Sequence, residues 1–130
     1  MNVFSFAISR PPKSIESFLA DYNLDRNVDI DYFLIHQANK MIVDRIVKKL
    51  KFPQAKVPYN LEEFGNLGGA SIPSLMVSRL RDELMTKECS LLMSSFGLGL
   101  TWGTMWMKSK PMYISDAVSY THLTLPTTSR

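Results

Sequence analysis

The 130-residue chain has a single cysteine, Cys89, and only two histidines, His36 and His122. One thiol rules out an internal disulfide framework, and two scattered imidazoles leave no credible structural zinc set. Long apolar runs are missing as well. Nothing approaches the roughly 18 residues that span a bilayer, and the N-terminus lacks a charged region followed by a leader-like stretch. A soluble, cytoplasmic, single-domain protein is therefore expected. Acidic residues are scarce in one segment: from residue 40 to 56, Asp44 alone faces Lys40, Arg45, Lys48, Lys49, Lys51 and Lys56. Such a cluster is either a solvated surface or a docking patch.

Apolar periodicity places a helix over residues 13–22 through Ile15, Phe18, Leu19 and Tyr22. The preceding "NVFSFAIS" fits a strand by partial alternation, or a helix that Pro11 and Pro12 would kink or break. "DYFLIH", residues 31–36, is almost wholly apolar and reads as a strand covered on both faces, with His36 at its C-terminal end. Ile42, Val43, Ile46, Val47 and Leu50 form the apolar stripe of an amphipathic helix over 39–51. A short strand carrying Pro58 is expected over 56–61. Ser71 is expected to cap a helix through "IPSLMVSRLRDELM", and "SLLMSSF" and "LTWGTMWMK" should pair antiparallel across "GLG". The sum is an α/β domain over 1–109, with a mostly parallel mixed sheet, helices on its faces and a C-terminal antiparallel strand pair. Residues 110–130 lose this patterning and read as an unrelated tail, disordered or artefactual in origin.

The six glycines fall in two stretches, "GNLGG" at 65–69 and "GLGLTWG" at 97–103. They serve tight turns or let backbone approach a ligand. His36 is open to two readings also: a strand-end histidine satisfied by a carbonyl, or a site residue. Its place at the carboxyl end of a strand, where ligands of open α/β sheets bind, points to a site, and Gln37 and Asn39 would add polar groups there. Cys89 precedes its strand at the opposite end from Phe96 and the glycines, so it reads as a small semi-buried residue. The methionines and tryptophans read mostly as core filling.

"HQAN" at 36–39, "GN" at 65–66, "ASIP" at 70–73 and "FGLGLTWG" at 96–103 together resemble, in order and spacing, the C-terminal part of beta-ketoacyl-acyl-carrier-protein synthase III. The likeness runs over about residues 1–109. It implies a thiolase-type fold of two fused α/β halves, a homodimer, and a decarboxylating condensation of an acyl-CoA primer with malonyl-acyl-carrier-protein that starts fatty acid synthesis. It assigns His36 and Asn66 to two of the three catalytic roles. The third, a cysteine nucleophile, belongs to an N-terminal half that this chain does not contain, so the chain alone is expected to be inactive. The resemblance also makes the Leu98 amide an oxyanion donor, places Asn39 and Phe96 along the pantetheine path, and makes "NVFSFAIS" helical. Lys40, Lys48, Lys49 and Lys51 become the docking face for the acidic carrier protein. No bound cofactor, metal, nucleic acid or membrane is implied. Leu98 stands where glycine is commoner and needs room and a negative φ; Leu67, Gly68 and Gly69 depart from the small polar and alanine residues usual after the asparagine. A polyketide or hydroxymethylglutaryl-CoA-type synthase shares the same His and Asn logic, and a non-catalytic basic α/β binding module is the alternative of another class.

Overall fold

The computed structural model describes residues 2–117; the expected tail from Val118 onward lies outside them. Residues 3–8 follow the helical alternative. Asn2 Oδ1 accepts the Ser5 amide at 2.8 Å and starts α1, Val3–Ala7, whose Phe6 and Ala7 are buried. The chain breaks at Ile8 and Ser9, and α2, Arg10–Asp21, begins with Pro11 and Pro12 in its first turn, where proline's missing N–H forfeits no helical bond.

Three strands form one sheet in the order β1, β2, β3. β1 is Tyr32–Ile35 and pairs parallel with β2, Cys89–Gly97; β2 pairs antiparallel with β3, Thr101–Ser109. Alternation along β1 covers both faces, as its unbroken apolar run predicts. Phe33 and Ile35 enter a core with Ile15 and Leu19 of α2 and with Ile42, Val43, Ile46, Val47 and Leu50 of α3, Lys40–Leu50. Leu34 points the other way, onto Leu75 of α5, Ser71–Arg79, Leu84 of α6, Arg81–Thr86, and Leu80 between them. Each fully buried Leu, Ile or Phe contributes about 1.5–3 kcal/mol, so the two faces together hold this sheet between its helices.

Four expectations change. Residues 56–61 do not form a strand: a 3-10 turn, Gln54–Lys56, is followed by extended chain to α4, Leu61–Phe64, and the Asn60 amide donates to Gln37 Oε1 at 3.2 Å instead of to a ladder. Ser71 is not the cap but the first helical residue, because the 3-10 turn Gly68–Ala70 already winds into α5. The long helix expected there is two, hinged at buried Leu80, whose backbone at φ −121°, ψ 13° lets α6 turn Leu84 back onto the sheet. The first part of the expected tail is anchored. The Met112 amide donates to the Leu84 carbonyl at 2.9 Å, Ile114 joins the second core, and Arg81 Nε reaches the Ile114 carbonyl and Asp116 Oδ1 at 3.0 and 3.2 Å.

Candidate functional site

Because β1 and β2 run parallel, their carboxyl ends meet at one edge of the sheet, and the β2–β3 turn lies at that edge too. The His36 amide donates to the Ser94 carbonyl at 2.9 Å, so the imidazole takes its place from the ladder itself. An open cleft of about 670 Å³ occupies this edge. His36, Asn66, Phe96 and Leu98, from separate stretches of sequence, all line it.

His36 is 8% exposed, and its ring stands edge-on to that of Phe96, centroids 5.2 Å apart and planes at 89°. Nδ1 is buried without a hydrogen-bond partner. A neutral imidazole carries one N–H donor and one acceptor nitrogen. Burial holds the imidazole's pKa below its ordinary 6.5. The unfolded chain therefore takes up this proton first as pH falls. His36 favours folding above about pH 6.5, and that contribution is lost toward the lower folded pKa. In the full-length protein carrying this segment, the unfolding midpoint should fall between pH 7 and pH 5, and His36→Gln should flatten that fall. Equal slopes in thermal melts across this range would overturn it.

Asn66 is exposed at the end of the loop after α4. Its Oδ1 accepts the Gly68 amide at 2.9 Å, which leaves the amide NH₂ free of that bond. Gly65 and Gly68 have φ of +68° and +59°, so this loop uses glycine for its turns. Gly69, Gly97 and Gly103 have open space where a Cβ would stand. Gly68, Gly69, Gly97 and Gly103 also line the cleft.

Leu98 finds its room in solvent: it is 88% exposed and its φ is not positive. Gly99 carries the turn's positive φ, +135°, and a Cβ there would stand 2.8 Å from Thr101 Cγ2. Asn39 does not line the cleft. It caps α3, Oδ1 accepting the Ile42 amide at 2.9 Å, and Ala38 takes the cleft-lining place. Gln37 is likewise buried structure: Nε2 donates to the Ile35 carbonyl at 3.0 Å, and its Oε1 holds Asn60. Asn60 Nδ2 in turn donates to Ser74 Oγ and Ser78 Oγ of α5 at 2.9 and 3.2 Å.

The sequence reading missed Val3, Ser95, Thr101 and Trp102 as lining residues. Trp102, taken as core, packs its edge on Phe6 at 5.4 Å yet stays 42% exposed. The signal was its register: Trp102 stands opposite Phe96 across the hairpin. Cys89, as expected, is buried at the other end of β2.

Among the basic residues, Lys40 pairs with Asp44 Oδ2 at 2.8 Å and lies over the Tyr59 ring. Lys48 and Lys49 share a groove with Ile8 and Arg45, where the Lys49 ammonium donates to the Ile8 carbonyl at 3.2 Å. Lys51 ends α3 with a left-handed backbone, φ 58°. Among the described residues no cluster of three or more His, Cys, Asp or Glu is placed to hold a metal, and no helix is long and apolar enough to cross a membrane.

The fold is that of the thiolase-like condensing enzymes. The chain belongs to the family described as 3-Oxoacyl-[acyl-carrier-protein (ACP)] synthase III C terminal, whose model matches residues 19–109. It is 44% identical over 103 residues to the beta-ketoacyl-[acyl-carrier-protein] synthase III of Limosilactobacillus reuteri strain DSM 20016, a match covering 79% of this chain and 32% of that protein. The crystal structure of a 3-oxoacyl-(acyl-carrier protein) synthase from Burkholderia xenovorans LB400 superposes with a TM-score of 0.83 at 34% identity, over 88% of this chain and 32% of that one. The synthase III of Pseudomonas aeruginosa PAO1 gives 0.76 at 28% identity, over 87% and 35%. The chain thus spans about a third of the length of the proteins it matches.

Proposed function

We propose that this chain is the C-terminal part of a decarboxylating condensing enzyme that joins an acyl group from acyl-CoA to malonyl-acyl-carrier-protein and so initiates fatty acid synthesis. The observation that carries the reading is the cleft in which His36 and Asn66 meet beside Phe96 and the β2–β3 turn. The acyl group is held as a thioester on a cysteine outside these 130 residues. Loss of carbon dioxide breaks the bond between the malonyl methylene carbon and its carboxylate, and the electron pair passes into an enolate. His36 Nε2–H and the Asn66 amide donate to the oxygen on which that charge develops. The burial that disfavours an imidazolium keeps His36 a neutral donor at pH 7. The enolate carbon attacks the acyl carbonyl, whose oxyanion takes the Leu98 amide and the cysteine amide as donors, and the thiolate leaves as the tetrahedral intermediate collapses.

The full-length protein works in the cytoplasm as a homodimer, and its chemistry calls on no bound cofactor. The test is to supply it with acyl-CoA and malonyl-carrier protein and follow carbon dioxide and 3-oxoacyl product. Condensation without a malonyl donor, or none with it, would overturn the reading.

Lys40, Lys48, Lys49 and Lys51 form the docking face for the acidic carrier protein, which electrostatic attraction steers to α3. Reversing Lys48 and Lys49 to glutamate should raise KM for malonyl-carrier protein about tenfold at low salt and leave KM for acyl-CoA nearly unchanged. Unaltered carrier-protein kinetics would return these lysines to plain solvated surface. Asn39 contributes here by fixing the start of α3, while Phe96 walls the pantetheine path beside His36.

A further inference from the structure

We propose that one ordered water joins His36 Nδ1, Ser71 Oγ and Asn60 Oδ1, and that this junction makes Ser71 and Asn60 positioning residues that hold the His36 proton on Nε2. The use made of that proton rests on the decarboxylating reading of the cleft. All three atoms are buried, and none has a hydrogen-bond partner among the described residues. Buried polar atoms of this kind are seldom left bare.

The fold brings the three residues to one place. α5 starts at the cleft, directly after Gly68 and Gly69, and runs back along β1 toward Leu80, which packs with Cys89 at the opposite end of the sheet. Leu75 shares its core with Leu34 of β1. Ser71 comes one helical turn before Leu75, about 5.4 Å nearer the cleft. His36 comes two strand residues after Leu34, about 6.6 Å in the same direction, and falls on the same face by alternation. Asn60 is tied to the neighbours of both. Its amide donates to Gln37 Oε1 at 3.2 Å, its Nδ2 donates to Ser74 Oγ at 2.9 Å, and Ser74 Oγ donates to the Ser71 carbonyl at 2.7 Å.

The atoms match in kind as well as in place. Ser71 supplies an O–H donor, Asn60 Oδ1 is an acceptor, and Nδ1 of a ring protonated at Nε2 is a second acceptor. A water takes the serine proton on one lone pair and gives its two hydrogens to the acceptors, the usual three bonds of a buried water. The opposite tautomer leaves one of those hydrogens without an acceptor, which burial penalises.

A crystal structure of the full-length protein should show a single water within about 3.2 Å of all three atoms. Nitrogen-15 NMR of histidine-labelled protein at about pH 8, with His36 assigned from the His36→Gln variant, should find Nε2 protonated and Nδ1 bare. Ser71→Ala should mix the two tautomers and lower kcat for malonyl decarboxylation about tenfold, the worth of one hydrogen bond, with KM for malonyl-carrier protein unchanged. Ser71→Thr keeps the hydroxyl and should restore both. Three atoms paired without a shared water, a proton found on Nδ1, or a kcat loss in folded Ser71→Ala protein with the tautomer unmoved would each overturn the proposal. The ring signals are read without turnover, so wild-type protein that fails to decarboxylate malonyl thioesters overturns the condensing reading alone.

Discussion

His36→Ala in the full-length protein should slow malonyl decarboxylation by about 10²-fold or more while leaving transfer of the acyl group to the cysteine largely intact. Asn66→Ala should do the same. Both donors serve charge that exists only once carbon dioxide is leaving, so their loss raises the barrier of that step and spares the earlier one. His36 approaches the cleft on a strand end whose amide is fixed to Ser94, and Asn66 comes on a glycine-turned loop, so neither truncation should unmake the fold around the other. Labelled acyl transfer and carbon dioxide release, measured separately with folding checked by circular dichroism, decide the matter. Equal loss of both half-reactions in a folded variant would count against the assignment.

The 130-residue chain by itself should form no acyl-enzyme and no 3-oxoacyl product. Its sole thiol, Cys89, is 2% exposed, and burial pushes its pKa up, away from the thiolate that attacks thioesters. It also begins β2, at the far end from Phe96. Seven residues at about 3.3 Å each put it roughly 23 Å from the cleft. The chain should associate as well, because Leu98, Met105 and Trp102 leave apolar surface open and β1 and β3 are both sheet edges among the described residues. Intact-mass analysis after incubation with acyl-CoA, together with light scattering on a sizing column, tests both halves. A mass adduct on Cys89 would overturn the first, and a monodisperse monomer the second.

What the sequence made legible was whatever a periodic pattern or a glycine could announce. The stripe from Ile42 to Leu50, the two-sided run of β1 and the hairpin across residues 98–100 follow directly from side-chain spacing. The cleft was legible in part, since His36, Asn66 and Phe96 sit beside glycines or at strand ends, where chemistry tends to collect. What stayed hidden depended on side chains meeting across long sequence separations. The alternation of Val57 and Tyr59 imitates a strand, but the chain there is held by Gln37 rather than by a partner strand. Asn39 looks like a ligand-binding residue in a motif, and only the bond to the Ile42 amide shows its work at the helix start. The break at Leu80 carries neither glycine nor proline, so no local signal marks it. Ile114 has no periodic companions, and only the floor of the second core gives it a place.

The chain of bonds from Gln37 through Asn60 to Ser74 and Ser78 has a bearing on any attempt to transplant this chemistry. Gln37 follows the histidine directly, yet both ends of its side chain are spent on backbone, so its duty is that of a rivet between the β1 exit and the segment leading to α4. Asn60 fastens that segment to α5 in turn. The loop bearing Asn66 is strung between these two fixings. A designer who copied the four-residue histidine motif onto another scaffold would import the imidazole without its mounting. The smallest portable unit is three separated pieces of chain, residues 35–39, 60–66 and 74–78, carried together with their relative spacing in space.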